Sequence, residues 1–215
     1  MLRTIKVPTI WADLSLKDFQ RFMGANPTDE TAEDLALSIF CGIDKDEQDS
    51  FPVKELEDIK TIIAGVFTEN PPLHRFVHIN GVKYGFHPKL ENISLGEFVD
   101  LEEYMKDPIK NAQKWMGVLY RPVTKEAYGR HEIEKYHPDK HDGSAFEAIT
   151  MDIVQGALLF FYRLELGLQI SSLTYLRQVA KQGKSSTPEP HSVNDGDGMQ
   201  SSINSLRGLY KTLTR

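Results

Sequence analysis

Apolar residues recur at three- and four-residue steps through much of this chain, the spacing typical of amphipathic helices. The pattern predicts a first helix that Asp13 or Ser15 caps and Gly24 ends. A second helix is expected to open at Thr28 or Asp29, and a third to follow Pro52. The N-terminal residues 2–10 alternate only weakly, which predicts an extended arm or an edge strand.

The middle of the chain carries the strongest signal for a turn. Asn80-Gly81 lies between two apolar runs, which predicts one small β-hairpin near residues 75–87. Ser94, followed three residues later by Glu97, matches a capping box and predicts a helix that starts at Leu95. That helix is expected to turn apolar side chains inward: Phe98, Leu101 and Met105.

The next amphipathic pattern predicts a helix over residues 109–120. The longest apolar periodicity runs over residues 150–179, where the first half is apolar nearly all round and predicts burial or a partner surface. Residues 181–200 are rich in Gly, Ser, Pro, Asn and Asp and predict a flexible linker. A short amphipathic helix is expected over residues 201–215.

These elements predict a mainly α fold of the α+β class. A helical domain with one hairpin would occupy residues 1–180, followed by the linker 181–200 and a short docking helix 201–215. A helix of that length is marginal in water, so we expect it to dock on something.

Composition narrows the classes of function. The chain has 215 residues and a net charge of −6, whereas nucleic-acid-binding domains are usually basic, so we expect no nucleic-acid partner. Its one cysteine, Cys41, excludes an internal disulfide and fits a reducing compartment. The longest apolar stretch, 153–168, is interrupted by charges and too short to span a bilayer. With no leader pattern at the N-terminus, we expect a soluble cytosolic protein with no membrane partner.

No catalytic arrangement stands out, so we expect no enzyme, no cofactor and no metal. Phosphate-binding glycine motifs are missing, and His74, His78 and His87 have no acidic triad partner nearby in the sequence. The acidic residues of the capped helix are expected to form a solvated face: Glu97, Asp100, Glu102 and Glu103.

One loop offers a metal-dependent enzyme as a lesser alternative. It contains five residues of metal-ligating type: His131, His137, Asp139, His141 and Asp142. Their spacing could hold zinc, but histidines in such loops are more often solvated.

The same loop carries a second alternative. Tyr136-His137-Pro138-Asp139 resembles the loop of J-domain co-chaperones, which engages an Hsp70 partner, so the resemblance implies a co-chaperone that uses His137-Pro138-Asp139. In that family a basic helix with one apolar face precedes the loop. Here Gly129 stands where the family has a tyrosine, and Tyr128 is one residue out of register, about 100° away on a helix.

The predicted helix over residues 150–179 carries more apolar residues than one helix face can bury in a small domain. This excess is the best argument within the sequence for an interaction surface. We expect two groups of residues to bind partners: Leu158, Leu159, Phe160, Phe161 and Tyr162 in this helix, and Leu206, Leu209 and Tyr210 in the C-terminal segment.

Four blocks of sequence resemble proteins of tailed bacteriophages. They are Tyr84-Gly85-Phe86-His87-Pro88, the run from Ser94 to Glu102, the run from Met116 to Val123, and the run from Met151 to Tyr162. The resembling proteins are small uncharacterised or tail-assembly-type proteins, and the likeness covers roughly residues 80–165.

The resemblance implies a virion morphogenesis protein, either a tail or baseplate assembly chaperone or a minor structural subunit. Its partners would be other tail or baseplate proteins, and it would form an oligomer or hetero-complex in the host cytoplasm or be incorporated in the virion.

Overall fold

Helices and a small antiparallel sheet make up the computed structural model, which describes residues 4–163. The first helices are α1 (Leu16–Gly24), α2 (Ala32–Ala36), α3 (Lys45–Gln48) and α4 (Val53–Val66). They are followed by α5 (Leu95–Tyr104), α6 (Ala112–Leu119) and α7, which occupies residues 151–163 at the end of the described range. The strands are β1 (Phe76–Ile79), β2 (Val82–Phe86), β3 (Tyr120–Ala127) and β4 (Arg130–Ile133).

The start of α1 follows the predicted capping chemistry, whereas the helix predicted to open at Thr28 or Asp29 begins at Ala32 without a side-chain cap. The Ser15 side chain accepts a hydrogen bond from the backbone N–H of Asp18 at 3.0 Å and so satisfies one of the free donors at the start of α1. The second helix is less regular, because α2 passes directly into a π-helical turn, Leu37–Cys41, which Gly42 ends at φ 67°.

The four strands lie in the order β1-β2-β3-β4, and every neighbouring pair is antiparallel. The predicted hairpin is confirmed: β1 and β2 pair up to Ile79 and Val82, and the turn places Asn80 at φ 50° and Gly81 at φ 79°. A second hairpin, β3-β4, was not predicted. It turns on Tyr128 and Gly129, at φ 51° and 72°, a pair with the same left-handed geometry but a weaker sequence signal.

This second hairpin corrects the boundary of the helix predicted over residues 109–120. The helix α6 is shorter, and its end at Leu119 leads straight into β3. Tyr120 therefore belongs to a strand, where it pairs with Phe86 of β2.

The hydrophobic core has two aromatic centres. Near the N-terminus, Trp11 packs edge-on against Phe67 at 5.1 Å between ring centroids. Beside the sheet, Phe86 packs edge-on against Tyr120 at 5.2 Å and against Phe160 of α7 at 5.4 Å. The sheet and the last described helix are thus held together by one aromatic cluster.

Helix α7 lies close to the backbone of the segment that follows α4. A Cβ atom added at Gly156 would lie 2.2 Å from the carbonyl oxygen of Pro72, far inside contact distance. Two backbone hydrogen bonds fix the start of the helix: Leu16 N–H donates to Ile149 O, and Met151 N–H donates to Leu14 O, both at 2.9 Å.

The predicted fold class is confirmed: the described residues form a mostly helical α+β structure with a small sheet. None of the helices in the described range combines the length and the apolarity needed to cross a membrane. The predicted linker 181–200 and the predicted docking helix 201–215 lie outside the described residues.

Candidate functional site

A buried ion pair joins α5 to β3. Nη2 of Arg121 lies 2.5 Å from Oε1 of Glu97, and the two residues are only 3 % and 4 % exposed. Removing two charges from water is costly, and a buried pair holds only where further hydrogen bonds satisfy the remaining atoms. The neighbours of the pair supply several of these bonds.

The second oxygen of Glu97 completes the capping box. Its Oε2 accepts hydrogen bonds from the backbone N–H of Ser94 at 2.7 Å and from the Ser94 hydroxyl at 2.6 Å. Burial by itself would raise the pKa of Glu97, but the Ser94 hydrogen bonds and the charge of Arg121 together hold that pKa below its usual value. The expectation that Glu97 belongs to a solvated acidic face was therefore wrong, because Arg121 approaches it from another element.

His87 lies on the other side of the same carboxylate. Its Nε2 is 3.6 Å from Oε1 of Glu97. Burial lowers the pKa of His87, and the nearby charge of Arg121 adds to this, while Glu97 opposes both. The imidazole is consequently biased toward its neutral form.

Two histidines that seemed to lack acidic partners have them in the fold. His87 faces Glu97, and Nε2 of His74 lies 3.2 Å from Oδ2 of Asp152 in α7. Within residues 4–163, however, neither imidazole is hydrogen-bonded to a serine, threonine or cysteine side chain, and the Ser94 hydroxyl is engaged with Glu97. These pairs connect elements of the fold and do not assemble a nucleophilic triad among the described residues.

Tyr136 attaches the segment after β4 to the cluster that Glu97, Arg121 and His87 form. Its hydroxyl donates to Oδ2 of Asp100 at 2.8 Å. Asp100, which was also expected on the solvated acidic face, thus has a partner from another part of the fold. The Tyr136 ring lies 5.7 Å from the Arg121 guanidinium and stacks on His141 at 5.8 Å. Burial, followed by the hydrogen bond to Asp100, raises the pKa of Tyr136 above its usual value.

The cluster forms the floor of an open cleft of about 520 Å³. Its walls are the start of α5 and the segment 132–136. The buried Nε of Arg121 makes no hydrogen bond among the described residues, and Nε2 of His141 lies 3.5 Å from Oε2 of Glu134. The lining carries both charge signs, with Glu97, Glu132 and Glu134 set against Arg121 and Lys135, so its charge alone selects no ligand class.

Sequence reasoning did not find this cluster. Glu97 was recognised only as a cap, and Arg121 was not singled out. The usable signal was the position of Arg121 within the apolar run from Met116 to Val123, because a charge inside such a run is buried only with a partner.

Residues from four separate stretches of the sequence meet at this place. His87 and Arg121 both contact Glu97. Phe160 of α7 packs against Phe86, which directly precedes His87.

The His137-Pro138-Asp139 loop follows strand β4, whereas a basic helix precedes the corresponding loop in J-domains. The loop is held as a turn, with the backbone N–H of His137 donating to Nδ1 of His141 at 3.0 Å. The structure thus lacks the helix that would present the loop, and the co-chaperone alternative gains no support from it.

The histidines of the suggested metal loop lie apart. His131 is a buried residue of strand β4 whose Nε2 contacts the Phe86 carbonyl oxygen at 2.7 Å, while His137 is exposed and His141 packs on Tyr136. Across residues 4–163, no three side chains of His, Cys, Asp or Glu type come together as a potential metal site.

The outer side of α5 carries an exposed apolar row that consists of Leu95, Phe98 and Val99. These side chains are 79 %, 52 % and 52 % exposed. Phe98 was expected to face inward with Leu101 and Met105, which was wrong for Phe98: Met105 is buried and Leu101 half-buried. We call these three residues the α5 row.

The residues predicted to bind partners in α7 are half-buried. Leu158, Phe160 and Phe161 pack against the core, so part of their apolar surface is already used within the domain. Leu159 and Tyr162 are half-buried as well. The other predicted contact residues lie outside the described residues: Leu206, Leu209 and Tyr210.

The comparisons with known proteins leave the family open. No protein-family model, no curated protein and no solved structure matches this chain.

Proposed function

We propose that this protein acts in bacteriophage virion morphogenesis by binding other tail or baseplate proteins, as an assembly chaperone or a minor structural subunit. The observation that carries the proposal is the α5 row: three large apolar side chains, each at least half exposed, on one side of one helix. Exposed apolar surface of this kind is typical of sites that bind another protein.

The position of the α5 row supports the assignment. It belongs to the block from Ser94 to Glu102 that resembles phage proteins. The same helix is fixed from behind by the Glu97–Arg121 ion pair and by the Tyr136–Asp100 hydrogen bond. A rigid helix presents its outer face at little cost in conformational entropy, which favours binding.

The proposed mechanism is presentation of apolar surface to a partner. The α5 row would contact an apolar patch on a tail or baseplate protein and shield that patch until assembly, or remain bound in the particle. The half-buried side chains Leu159 and Tyr162 of α7 would extend the contact where the partner reaches them. No chemical step is required of this mechanism.

Co-expression tests the proposal. The tagged chain would be produced together with each tail or baseplate protein of the same phage, and complexes would be isolated by size-exclusion chromatography with mass determination by light scattering. We expect at least one stoichiometric complex. A chain that stays strictly monomeric in the presence of every tail and baseplate protein would contradict the proposal.

A matched pair of variants tests whether the complex forms through the α5 row. Phe98→Glu places a charge in the α5 row and should abolish the complex. Val53→Glu changes a side chain that is more exposed than Phe98, at 78 % against 52 %, and that lies at the start of α4. This control should leave the complex intact.

A further inference from the structure

We infer that the cleft beside α5 binds an extended peptide segment of another protein, which pairs as an added strand with the free edge of β4. Such a site lies beyond the proposed function, because recognition there depends on backbone hydrogen bonds and not on the α5 row. Strand β4 is the last strand of the sheet, and one wall of the cleft consists of its end and the residues that follow it, 132–136.

The hydrogen-bond pattern of β4 shows which backbone groups face away from β3. Arg130 and Ala127 pair on either side of the two-residue turn, and the pair that flanks such a turn exchanges hydrogen bonds. Further along, the backbone N–H of Glu134 donates to a carbonyl oxygen of β3 at 3.0 Å. Both contacts turn the even-numbered residues toward β3, so the N–H and C=O groups of Ile133 and Lys135 point away from it.

These outward groups form a free strand edge along the cleft. Among the described residues, no other backbone group is hydrogen-bonded to the backbone of Ile133 or Lys135. The two residues are two positions apart, which is the spacing at which an added strand places its own pairing residues. An extended segment can therefore satisfy both N–H groups and both C=O groups at once, as in strand addition to other sheet edges.

The carboxylates of the cleft are neutralised within the protein. Each lies within 4.0 Å of a cation of the fold: Glu97 of Arg121, Glu134 of Lys140, and Glu132 of Lys125. A lining of this kind does not select a strongly charged ligand. It favours a ligand whose polar groups are neutral hydrogen-bond donors and acceptors, as those of a peptide backbone are.

The floor of the cleft offers a further donor. Arg121 is only 3 % exposed, and its Nε has no acceptor among the described residues. A buried donor without an acceptor is costly, so an oxygen atom of a bound segment would be favoured beside it. A backbone carbonyl suits this position, because Glu97 already balances the charge of the guanidinium.

The dimensions of the cleft fit such a segment. Its volume of about 520 Å³ lies within the range of about 300–1,000 Å³ that is typical of ligand sites. The wall formed by residues 132–136 would be about 16 Å long in the extended form, which matches about five residues of an added strand.

Peptide selection on the full-length chain tests the inference. A displayed library of random linear peptides would be enriched on the immobilised protein, and an enriched peptide would be synthesised and titrated by isothermal calorimetry. The titration would be repeated with Ile133→Pro, which removes one outward N–H and no hydrogen bond to β3. The matched control is His78→Pro, at a residue of the opposite edge strand β1 whose N–H also points away from its neighbouring strand.

We expect Ile133→Pro to weaken peptide binding about tenfold and His78→Pro to leave it unchanged. Thermal denaturation would establish that both variants are folded. Failure to enrich any peptide would overturn the inference, as would equal affinity for the wild-type chain and Ile133→Pro. A peptide that loses affinity for Phe98→Glu but not for Ile133→Pro would bind the α5 row, and that result would overturn the inference as well.

Backbone methylation of the selected peptide is an independent measurement that needs no protein variant. A methyl group on a single backbone nitrogen removes one donor at a time. Strand pairing predicts a loss of affinity at every second nitrogen, because alternate N–H groups of an extended strand face its neighbour. Losses at a spacing of three to four residues, or at no nitrogen, would contradict strand pairing. The proposed function would be unaffected by that result, because its test is the co-expression with tail and baseplate proteins.

Discussion

Residues of the Glu97–Arg121–His87 cluster join elements of the fold in a way that their sequence positions do not indicate. Glu97 caps α5 through one oxygen and binds Arg121 through the other, so a single carboxylate joins a helix start to a strand. The cap was predictable because Ser94 and Glu97 are three residues apart. The ion pair was not, because its partner comes from a strand that the sequence pattern did not predict.

Arg121→Ala should destabilise the fold strongly. The variant leaves the Glu97 charge buried without its cation, and loss of one partner from a buried pair costs about 3 kcal/mol in the free energy of unfolding. Urea denaturation would measure the loss. The control is Lys106→Ala, which removes the exposed pair with Glu103 and should cost less than about 1 kcal/mol. Similar losses for the two variants would contradict the assigned role of Arg121.

The lowered pKa values of two histidines predict that the folded chain loses stability as pH falls. The pKa values of His87 and His141 are lowered in the fold from 6.5, chiefly by burial, so the unfolded chain binds more protons below that pH. The free energy of unfolding should therefore decline as pH falls below about 6.5. Glu97, whose pKa is also lowered, stays ionised in this window and adds a further loss only under more acidic conditions.

Urea titrations from about pH 7.5 down to about pH 5.5 would measure this decline. A double variant with His87→Gln and His141→Gln should show a flatter dependence than the wild-type chain, with the single variant His87→Gln between the two. If the double variant retained the wild-type slope over this range, these histidines would not be its source.

At the scale of elements, turn and capping chemistry explain what the sequence could predict. Asn80-Gly81 identified the first hairpin because both residues favour the left-handed region. The second hairpin escaped prediction because Tyr128 is an unusual residue at a positive φ, and because the outer part of β3 is exposed on both faces and lacks alternation. Contacts between elements, such as the approach of Gly156 to Pro72, cannot be predicted from the local pattern of apolar and polar residues.

The packing of α7 predicts opposite effects for two glycine substitutions. Gly156→Ala would place its Cβ atom 2.2 Å from the Pro72 carbonyl oxygen, and displacing backbone costs about 1–3 kcal/mol, more than helix propensity returns. Gly65→Ala in α4 meets nothing within 4 Å and should stabilise by about 0.5–1 kcal/mol.

Thermal denaturation monitored by circular dichroism would compare the two variants with the wild-type chain. Gly156→Ala should lower the melting temperature and Gly65→Ala should raise it. A melting temperature for Gly156→Ala at or above the wild-type value would show that α7 does not approach the backbone at Pro72 so closely.

For the whole molecule, the fold class followed from periodicity, and the proposed function depends on a resemblance combined with one exposed surface. The sequence favoured α7 as the site of surplus apolar surface, but Phe160 and Phe161 pack on Phe86 and are half-buried. Among the described residues an exposed apolar row lies on α5, because Glu97 and not Phe98 turns toward the core. The part of the predicted helix beyond residue 163 lies outside the described residues. Helical periodicity alone could not distinguish these orientations, since it does not reveal a distant arginine.

The proposed binding of the α5 row to a tail or baseplate protein can be measured directly. Isothermal titration calorimetry, with the partner identified by co-expression, would compare the wild-type chain with the variants Phe98→Glu and Val53→Glu. We predict that Phe98→Glu weakens the affinity at least about a hundredfold, as expected at the centre of an interface, and that Val53→Glu leaves it unchanged. Equal affinity of the wild-type chain and Phe98→Glu would contradict the account.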